Sequence, residues 1–394
     1  MKDTIAVVTS TRAEYGLLRG VVLQLAADPE IELQLLVTGT HLSSAHGSTV
    51  KEIEADGVPI AARLPILPPD NAAEPVAKTI ARTIEVFDGW FSQHTPQALL
   101  LLGDRFEIFA VAVAAAARHI PIAHISGGDV TLGAADEYYR HCITKMAALH
   151  FPSCTDSARR LVRMGEEPRR VFCVGGLGDE NIRKLPKMSR AELCESTGLP
   201  LEQPFALVTY HPETAGAANP AAQADALIAA MQQTPGVYWL ITGSNADEGG
   251  RICTEKMQAF AAAQPQKAGF VQSLGLRRYL SAMALASLVA GNSSSGVVET
   301  PSFGVPTVNI GDRQAGRLIC ENVLCCPAEE KAIQKALQQA LSPEFAAAAK
   351  AARSPYNGGD TAQKICTQLK AALKTGLLQT VKTFYDGEIP PFTL

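Results

Sequence analysis

One pattern constrains this chain of 394 residues more than any other: short apolar runs rich in β-branched residues, each ending at Gly, Ser or Thr and followed by an Ala/Leu-rich segment of helical period. Ile5 to Val8 stops at Thr9-Ser10, Ile31 to Val37 at Thr38-Gly39, Ala98 to Leu102 at Gly103, and Ile122 to Ile125 at Ser126-Gly127-Gly128. A strand wetted on one face alternates apolar and polar side chains. These runs are apolar apart from Glu32, Gln34 and His124, as suits strands covered largely on both faces of a parallel sheet. Helices are read over Tyr15 to Ala27, Ala77 to Phe91 and Phe106 to Arg118, and Val171 to Val174 closes the series. The alternation predicts an α/β fold built on a doubly wound sheet.

Gly175-Gly176-Leu177-Gly178 interrupts the pattern, and beyond Pro186 a helix opens with Ser189 and Glu192 at capping-box spacing. The alternation then restarts, with strands expected at Phe205 to Thr209, Val237 to Ile241, Phe270 to Val271, Leu288 to Val289 and Thr307 to Ile310. Helices are expected at Gln223 to Gln232, Thr254 to Ala263, Glu329 to Leu341 and Ala362 to Leu373. Two Rossmann-like domains follow, residues 1–178 and 179–375, facing a central cleft, with the tail 376–394 packing back on the first.

Composition excludes several classes. Lys+Arg number 35 against 39 Asp+Glu, a net charge of −4, with 19% charged and 47% hydrophobic residues, which argues against disorder and against a general grip on nucleic acid. The start has no hydrophobic region leading to a small-residue cleavage site, and the longest apolar stretches fall short of the ~20 residues that span a bilayer, so no membrane partner and a cytoplasmic location are expected. The nine cysteines are scattered, without CxxC or zinc-site spacing, and read as reduced, mostly buried thiols.

In open parallel sheets ligands bind beyond the carboxyl ends of the strands, so the residues just after each run carry the information. Here they are polar: Ser10-Thr11-Arg12-Ala13-Glu14, Gly103-Asp104-Arg105, Ser126-Gly127-Gly128-Asp129, His211-Pro212-Glu213-Thr214, Gly243-Ser244-Asn245-Ala246-Asp247, and Gly291-Asn292-Ser293-Ser294-Ser295-Gly296 leading to Glu299. The last stretch, between strand and helix, suits a phosphate cradle of free N–H groups at a helix start, although Ser and Asn also cap helices for structural reasons. Arg12, Arg105 and Arg313 fit charge-assisted contacts to a diphosphate, with a surface or structural role as the plain alternative for each. Asp104 follows five apolar residues, a costly place for a carboxylate unless it is paired, with Arg105 or a helix N-terminus the nearest partner, or used. Asp129, Asp136 and Glu137 form an acidic group before Arg140-His141, and a solvated loop is its bland reading. His211 stands at a strand end, where a structural and a functional role weigh equally.

Seven segments in order along the chain resemble the hydrolysing UDP-N-acetylglucosamine 2-epimerases of sialic acid biosynthesis: Thr9 to Tyr15, Leu102 to Arg105, His124 to Asp129, Arg140 to Lys145, His211 to Thr214, Gly291 to Glu299 and Gly311 to Gln314. The resemblance implies the two-Rossmann glycosyltransferase-B architecture and the conversion of UDP-N-acetylglucosamine and water into N-acetylmannosamine and UDP. It makes Asp104 and a carboxylate among Asp129 to Asp136 the acid/base candidates, with His211 at the diphosphate or leaving oxygen. Ser293, Ser294 and Gly296 would hold the phosphates, Glu299 the ribose hydroxyls, and Arg12, Arg105, Arg313 and Ser244 would complete the nucleotide contacts. The chain departs from the family pattern at Ser126 and Asp129, where many members carry Glu.

The chemistry implied is elimination to a 2-acetamidoglucal and hydration of that glucal, which needs acid/base groups and charge stabilisation on the leaving diphosphate. It requires no cofactor and no metal. The expected partners are a UDP-sugar and further copies of the chain, as a dimer or tetramer. Rival readings are the same reaction on UDP-2,4-diacetamido-2,4,6-trideoxyglucose, a non-hydrolysing epimerase that retains UDP, a sugar-nucleotide sensor with a dead site, and a glycosyltransferase.

Overall fold

The computed structural model describes residues 2–44, 47–68, 74–132, 136–213, 219–244 and 250–394. Two parallel sheets of six strands organise them. The first holds β1 (Asp3–Thr9), β2 (Ile31–Thr38), β3 (Ile60–Leu64), β4 (Ala98–Leu102), β5 (Ile122–Ile125) and β6 (Leu149–Phe151), in the order β3-β2-β1-β4-β5-β6. The second holds β7 (Phe205–Thr209), β8 (Tyr238–Thr242), β9 (Ala268–Val271), β10 (Leu288–Gly291), β11 (Thr307–Ile310) and β12 (Val323–Cys326), in the order β12-β11-β10-β7-β8-β9. Each half starts at a central strand, winds to one side, returns, and winds to the other. The crevices where the direction switches, beside β1/β4 and β7/β10, are where such sheets bind ligands.

Burial on both faces explains the apolar runs. Every residue of β4 is buried. In β1, Ile5 and Val7 meet one face together with Leu18, Val22 and Leu25 of the helix Arg12–Ala27, while Ala6 and Val8 meet the other with Phe87, Ile108 and Val111. The expected capping box is formed: the Ser189 hydroxyl accepts the Glu192 N–H, and the Glu192 carboxylate accepts the Ser189 N–H at 2.7 Å.

Three strands escape the apolar-run criterion, and all three lie at sheet edges. β3 alternates in burial, β6 has only three residues, and β12 carries an exposed Cys325. An edge strand such as β3 or β12 keeps one side in water and need not be apolar throughout, whereas β6 is buried and too short to show as a run. Val171 to Val174, expected as a strand, contributes only a single bridge from Val171 to His150.

The chain forms two compact units, Met1–Asp129 with Asp136–Asn181 and Gly358–Leu394, and Ile182–Asn357 with residues 130–132. This corrects the expected 179–375 boundary, because the helix Thr361–Thr375 belongs to the first unit. Its stripe of Ala362, Ile365, Cys366, Leu369 and Ala372 is buried in the first unit's core alongside the helix Arg12–Ala27. The tail beyond it stays on the first unit, where Lys382 donates to the carbonyls of Thr144 and Ala147 and to buried Glu166. Among the described residues no helix is long and apolar enough to cross a membrane.

Candidate active site

The first unit gathers charge at its switch point. β1 runs into the helix Arg12–Ala27, capped by Thr11, and buried Glu14 reaches back to accept the Ser10 N–H at 2.8 Å and the Ser10 hydroxyl at 2.7 Å. Burial raises the Glu14 carboxyl to about 7, against the two Ser10 bonds that favour its anion. Arg12 opens that helix near buried His41, whose pKa falls to about 4 chiefly through burial, with the Arg12 charge adding to the effect.

Beyond β4, Gly103 takes a φ of +78°, and its carbonyl accepts a hydrogen bond from His124 Nε2 at 2.7 Å. Burial lowers His124 to about 4, so the ring is neutral with its proton on Nε2, facing that carbonyl. This anchors the loop that presents Asp104.

Asp104 is paired, but with Arg140 rather than with Arg105. Arg140 Nε donates to Asp104 Oδ2 at 2.8 Å and Nη2 donates to the same oxygen, while Nη1 donates to Glu137 Oε2 at 2.6 Å and to the Asp129 carbonyl at 2.8 Å. The Arg140 side chain is 1% exposed. Burial is the largest influence on it and disfavours the cation; Asp104, Asp129 and Glu137 together outweigh it and push its pKa above the ordinary value. Arg105 instead turns to Glu107, with Nε and Nη2 at 3.1 and 2.9 Å from its two oxygens.

Asp129 is held independently, its Oδ1 accepting the hydroxyls of Ser157 at 2.6 Å and Ser153 at 2.9 Å. The preceding Gly128 has a φ of +80°, and a Cβ there would lie 2.4 Å from the Ser157 carbonyl. Ser126, the departure from the family pattern, sits at a φ of +63°, an uncommon conformation for a non-glycine residue at the end of β5. Asp136 opens the helix Asp136–Met146, one turn before Arg140. One guanidinium thus joins Asp104, Glu137 and the backbone of Asp129.

The second unit holds its switch point with a buried amide at its centre, joined by the charged side chains of Arg313 and Glu213. Gly291, at φ +134°, lets β10 leave the sheet against β7, since a Cβ would fall 2.0 Å from the Thr209 carbonyl. Fully buried Asn292 then accepts the His211 N–H at 2.7 Å and donates to the His211 carbonyl at 2.8 Å. The Asn292 carbonyl in turn accepts Gln314 Nε2 at 2.9 Å and Arg313 Nη1 at 3.4 Å. Glu213 Oε1 accepts the Asp312 N–H at 2.9 Å, in space that Gly311 leaves open. These bonds lock the ends of β7, β10 and β11 together. His211 Nδ1 lies 3.1 Å from the hydroxyl of Ser244, which follows β8.

The Ser293 turn differs from expectation in one respect. The helix after it spans only Ser295–Val298 and meets a second short helix, Thr300–Phe303, at Glu299, so no summed helix dipole stands behind it. What it presents is hydroxyls: Ser293 and Ser295 lie 3.0 Å apart, and Ser294 is exposed and makes no capping bond. A Cβ on Gly296 would meet only ordinary contacts, 3.6 Å from Thr307 Cγ2. Thr214 and Asn245 to Asp247 lie outside the described residues.

Sequence reasoning assigned no role to Arg140 or Asn292. Arg140 stands three residues after Glu137 and four after Asp136, the spacing of one helix face, and that was the available signal. In the sequence Asn292 stands only as one member of the Gly291 to Gly296 cradle or as a cap. Among the described residues no group of three or more His, Cys, Asp or Glu side chains is placed to hold a metal ion.

Known proteins are similar to this chain in sequence and in fold. A hydrolysing GDP/UDP-N,N'-diacetylbacillosamine 2-epimerase of Campylobacter jejuni is 36% identical over 87% of this chain and 89% of its own. Polysialic acid biosynthesis protein P7 of Escherichia coli is 36% identical over 89% of this chain and 90% of its own. The crystal structure of UDP-GlcNAc 2-epimerase from Neisseria meningitidis bound to UDP-GlcNAc shares the fold, with a TM-score of 0.79 at 17% identity, covering 93% of this chain and all of that one. Residues 23–370 match the family model described as UDP-N-acetylglucosamine 2-epimerase, and the chain belongs to that family.

Proposed function

We propose that the protein is a hydrolysing UDP-N-acetylglucosamine 2-epimerase that releases N-acetylmannosamine and UDP for sialic acid-type biosynthesis. The observation that carries this reading is near full-length similarity to relatives named as hydrolysing 2-epimerases and as a polysialic acid biosynthesis protein. The grouping of Asp104 and Asp129 about Arg140 supports it chemically.

In this mechanism a carboxylate, Asp104 in our assignment, removes the proton from C2 of the sugar. The C1–O bond breaks as the C1=C2 bond forms, and the electron pair leaves on the diphosphate. Asp129 or Asp136, carrying a proton from solvent, then delivers it to the opposite face of C2 while water adds its oxygen to C1 and returns a proton to that carboxylate; Asp104 releases its own proton to solvent. Arg140 orients Asp104 through two charge-assisted hydrogen bonds. His211, with Nδ1 turned to Ser244, directs Nε2 to the leaving oxygen. Ser293, Ser294, Gly296 and Arg313 hold the phosphates, and Glu299 holds the ribose. Arg12 adds charge from the first unit. Arg105, engaged by Glu107, is the weakest of the assigned contacts.

A second reading, the same reaction on UDP-2,4-diacetamido-2,4,6-trideoxyglucose, is favoured by the Campylobacter jejuni relative's name. One experiment addresses both. Purified protein is given each sugar nucleotide in D2O, and free UDP, the released sugar and deuterium at its C2 are measured. Faster turnover of the diacetamido sugar selects the second reading. A UDP-linked epimer as product would replace hydrolysis with simple epimerisation, and release of unlabelled sugar would exclude the elimination route.

A further inference from the structure

Five hydroxyls run in one line from the interior of the second sheet to the Ser293 turn. Thr242 Oγ1 donates to the Val208 carbonyl at 3.2 Å and lies 2.7 Å from Thr209 Oγ1. Thr209 lies 3.3 Å from the Tyr279 hydroxyl, Tyr279 lies 2.7 Å from Ser295 Oγ, and Ser295 lies 3.0 Å from Ser293 Oγ. Thr209 and Thr242 are buried.

Counting hydrogens fixes the direction of this line. Each hydroxyl has one hydrogen, and a carbonyl can only accept. Thr242 spends its hydrogen on Val208, so Thr209 must donate to Thr242, Tyr279 to Thr209, Ser295 to Tyr279 and Ser293 to Ser295 or to the Tyr279 oxygen, on which it also acts. Five hydrogens make five bonds and all point inward. Burial raises the Tyr279 phenol above its ordinary value, so it keeps its proton and the count holds. Ser293 therefore has no hydrogen left for a ligand.

A phosphate offers only acceptor oxygens and needs Ser293 to donate. That makes six bonds for five hydrogens. We infer that phosphate binding at Ser293 reverses the whole line, so that Thr242 donates to Thr209, Thr209 to Tyr279, Tyr279 to Ser295, Ser295 to Ser293 and Ser293 to the phosphate, with the bond to Val208 given up. Thr242, inside the sheet, is thereby a positioning residue for the phosphate-facing hydroxyl. Aligned hydroxyls polarise one another, so the reversed line makes Ser293 a better donor than an isolated serine. The inference rests on the phosphate-binding role proposed above for Ser293.

The sign of one mutation separates this from a merely structural role. Thr242→Val removes the inward acceptor along with its hydrogen, so the line can face outward before the ligand arrives and no bond is lost. UDP should then bind about 3- to 10-fold more tightly, the worth of one neutral hydrogen bond. Thr209→Val cuts the line one link nearer the turn and should act alike. In a Tyr279→Phe background, where the link is already broken, Thr242→Val should have no effect. Calorimetric titration of the full chain with UDP reads all of these, with Ser293→Ala as reference. Unchanged or weaker UDP binding in both valine variants overturns the inference, as does tightening that persists beside Tyr279→Phe. If Ser293→Ala itself leaves UDP affinity unchanged, the phosphate reading of the turn fails first.

Discussion

The two halves of this chain share one strand order and differ in the chemistry at its switch point. In the first, the ends of β1 and β4 carry Glu14, Asp104 and Arg105, with Arg140 brought in from the helix Asp136–Met146. In the second, the ends of β7 and β10 carry Thr209, Asn292 and serine hydroxyls joined by uncharged hydrogen bonds, with Arg313 and Glu213 adding bonds from the flanks. Charged groups held against one another fix where each carboxylate points, as proton transfer requires. Neutral donors and acceptors present hydrogen bonds to an anion without bringing a second buried charge. Topology fixes where a site lies in each half, and side chains decide what it does.

The sharpest way to break the comparison is to remove the charge that organises the first half. Arg140→Met takes from Asp104 and Glu137 the cation they share; their side chains are 25% and 20% exposed and so keep some water, and Glu137 keeps His141. Loss of one partner from a buried ion pair costs about 3–5 kcal/mol, and the water places this case near 3. Denaturant unfolding should show that loss, together with loss of turnover. A variant as stable as the parent would show that the cluster is not held by Arg140.

Glu14 tests the same half through pH. Its folded-state carboxyl, raised to about 7 by burial, binds a proton where the unfolded chain, near 4.5, has released it. Arg105 and Glu107 are the charged groups that also act on it, with opposite signs. The stabilisation is complete below pH 4.5 and is lost as pH rises through 7. Glu14→Gln, uncharged throughout, should gain about 2.5 kcal/mol relative to the parent between pH 5 and pH 8. Equal stability differences at those two pH values would mean that Glu14 ionises normally.

Asp104→Asn keeps the shape of the side chain and removes its basicity, so kcat should fall by about 10²-fold or more with UDP affinity unchanged. Near-normal turnover by the folded variant removes Asp104 from the mechanism. Glu299→Ala should do the converse and weaken UDP binding by about 1.5–3 kcal/mol, the range for hydrogen bonds to a charged group. If titration shows UDP affinity falling for Asp104→Asn and holding for Glu299→Ala, the roles of the two halves are exchanged.

How much of this was legible in the sequence follows from which interactions are local. The central strands were readable because burial on both faces leaves an apolar signature in consecutive residues, as in Ala98 to Leu102. The edge strands β3, β6 and β12 carry no such signature. The helix Thr361–Thr375 was visible as a helix, but its stripe of Ile365 and Leu369 does not say which core it fills. Asp104 stood out as a carboxylate ending an apolar run. Its partner did not, because Arg140 lies 36 residues away while Arg105 is adjacent, and only the fold shows that Arg105 turns to Glu107.

The smallest expected effect bears on the second half. Gly296 sits inside the short helix Ser295–Val298, and its φ is not among the positive ones, so no backbone strain demands a glycine. An added Cβ would find Thr307 Cγ2 at 3.6 Å and Val289 Cγ1 at 3.9 Å, both ordinary contacts. Gly296→Ala should therefore stabilise the free protein by about 0.4–1 kcal/mol, through the lower entropy of the unfolded chain. The fold thus gives no reason for a glycine here, and close approach of a phosphate to the backbone would supply one. On that account the same variant binds UDP more weakly while melting at a higher temperature. Opposite signs in stability and affinity support a ligand at this turn; a variant that gains stability and binds UDP as well as the parent moves the phosphates away from Gly296.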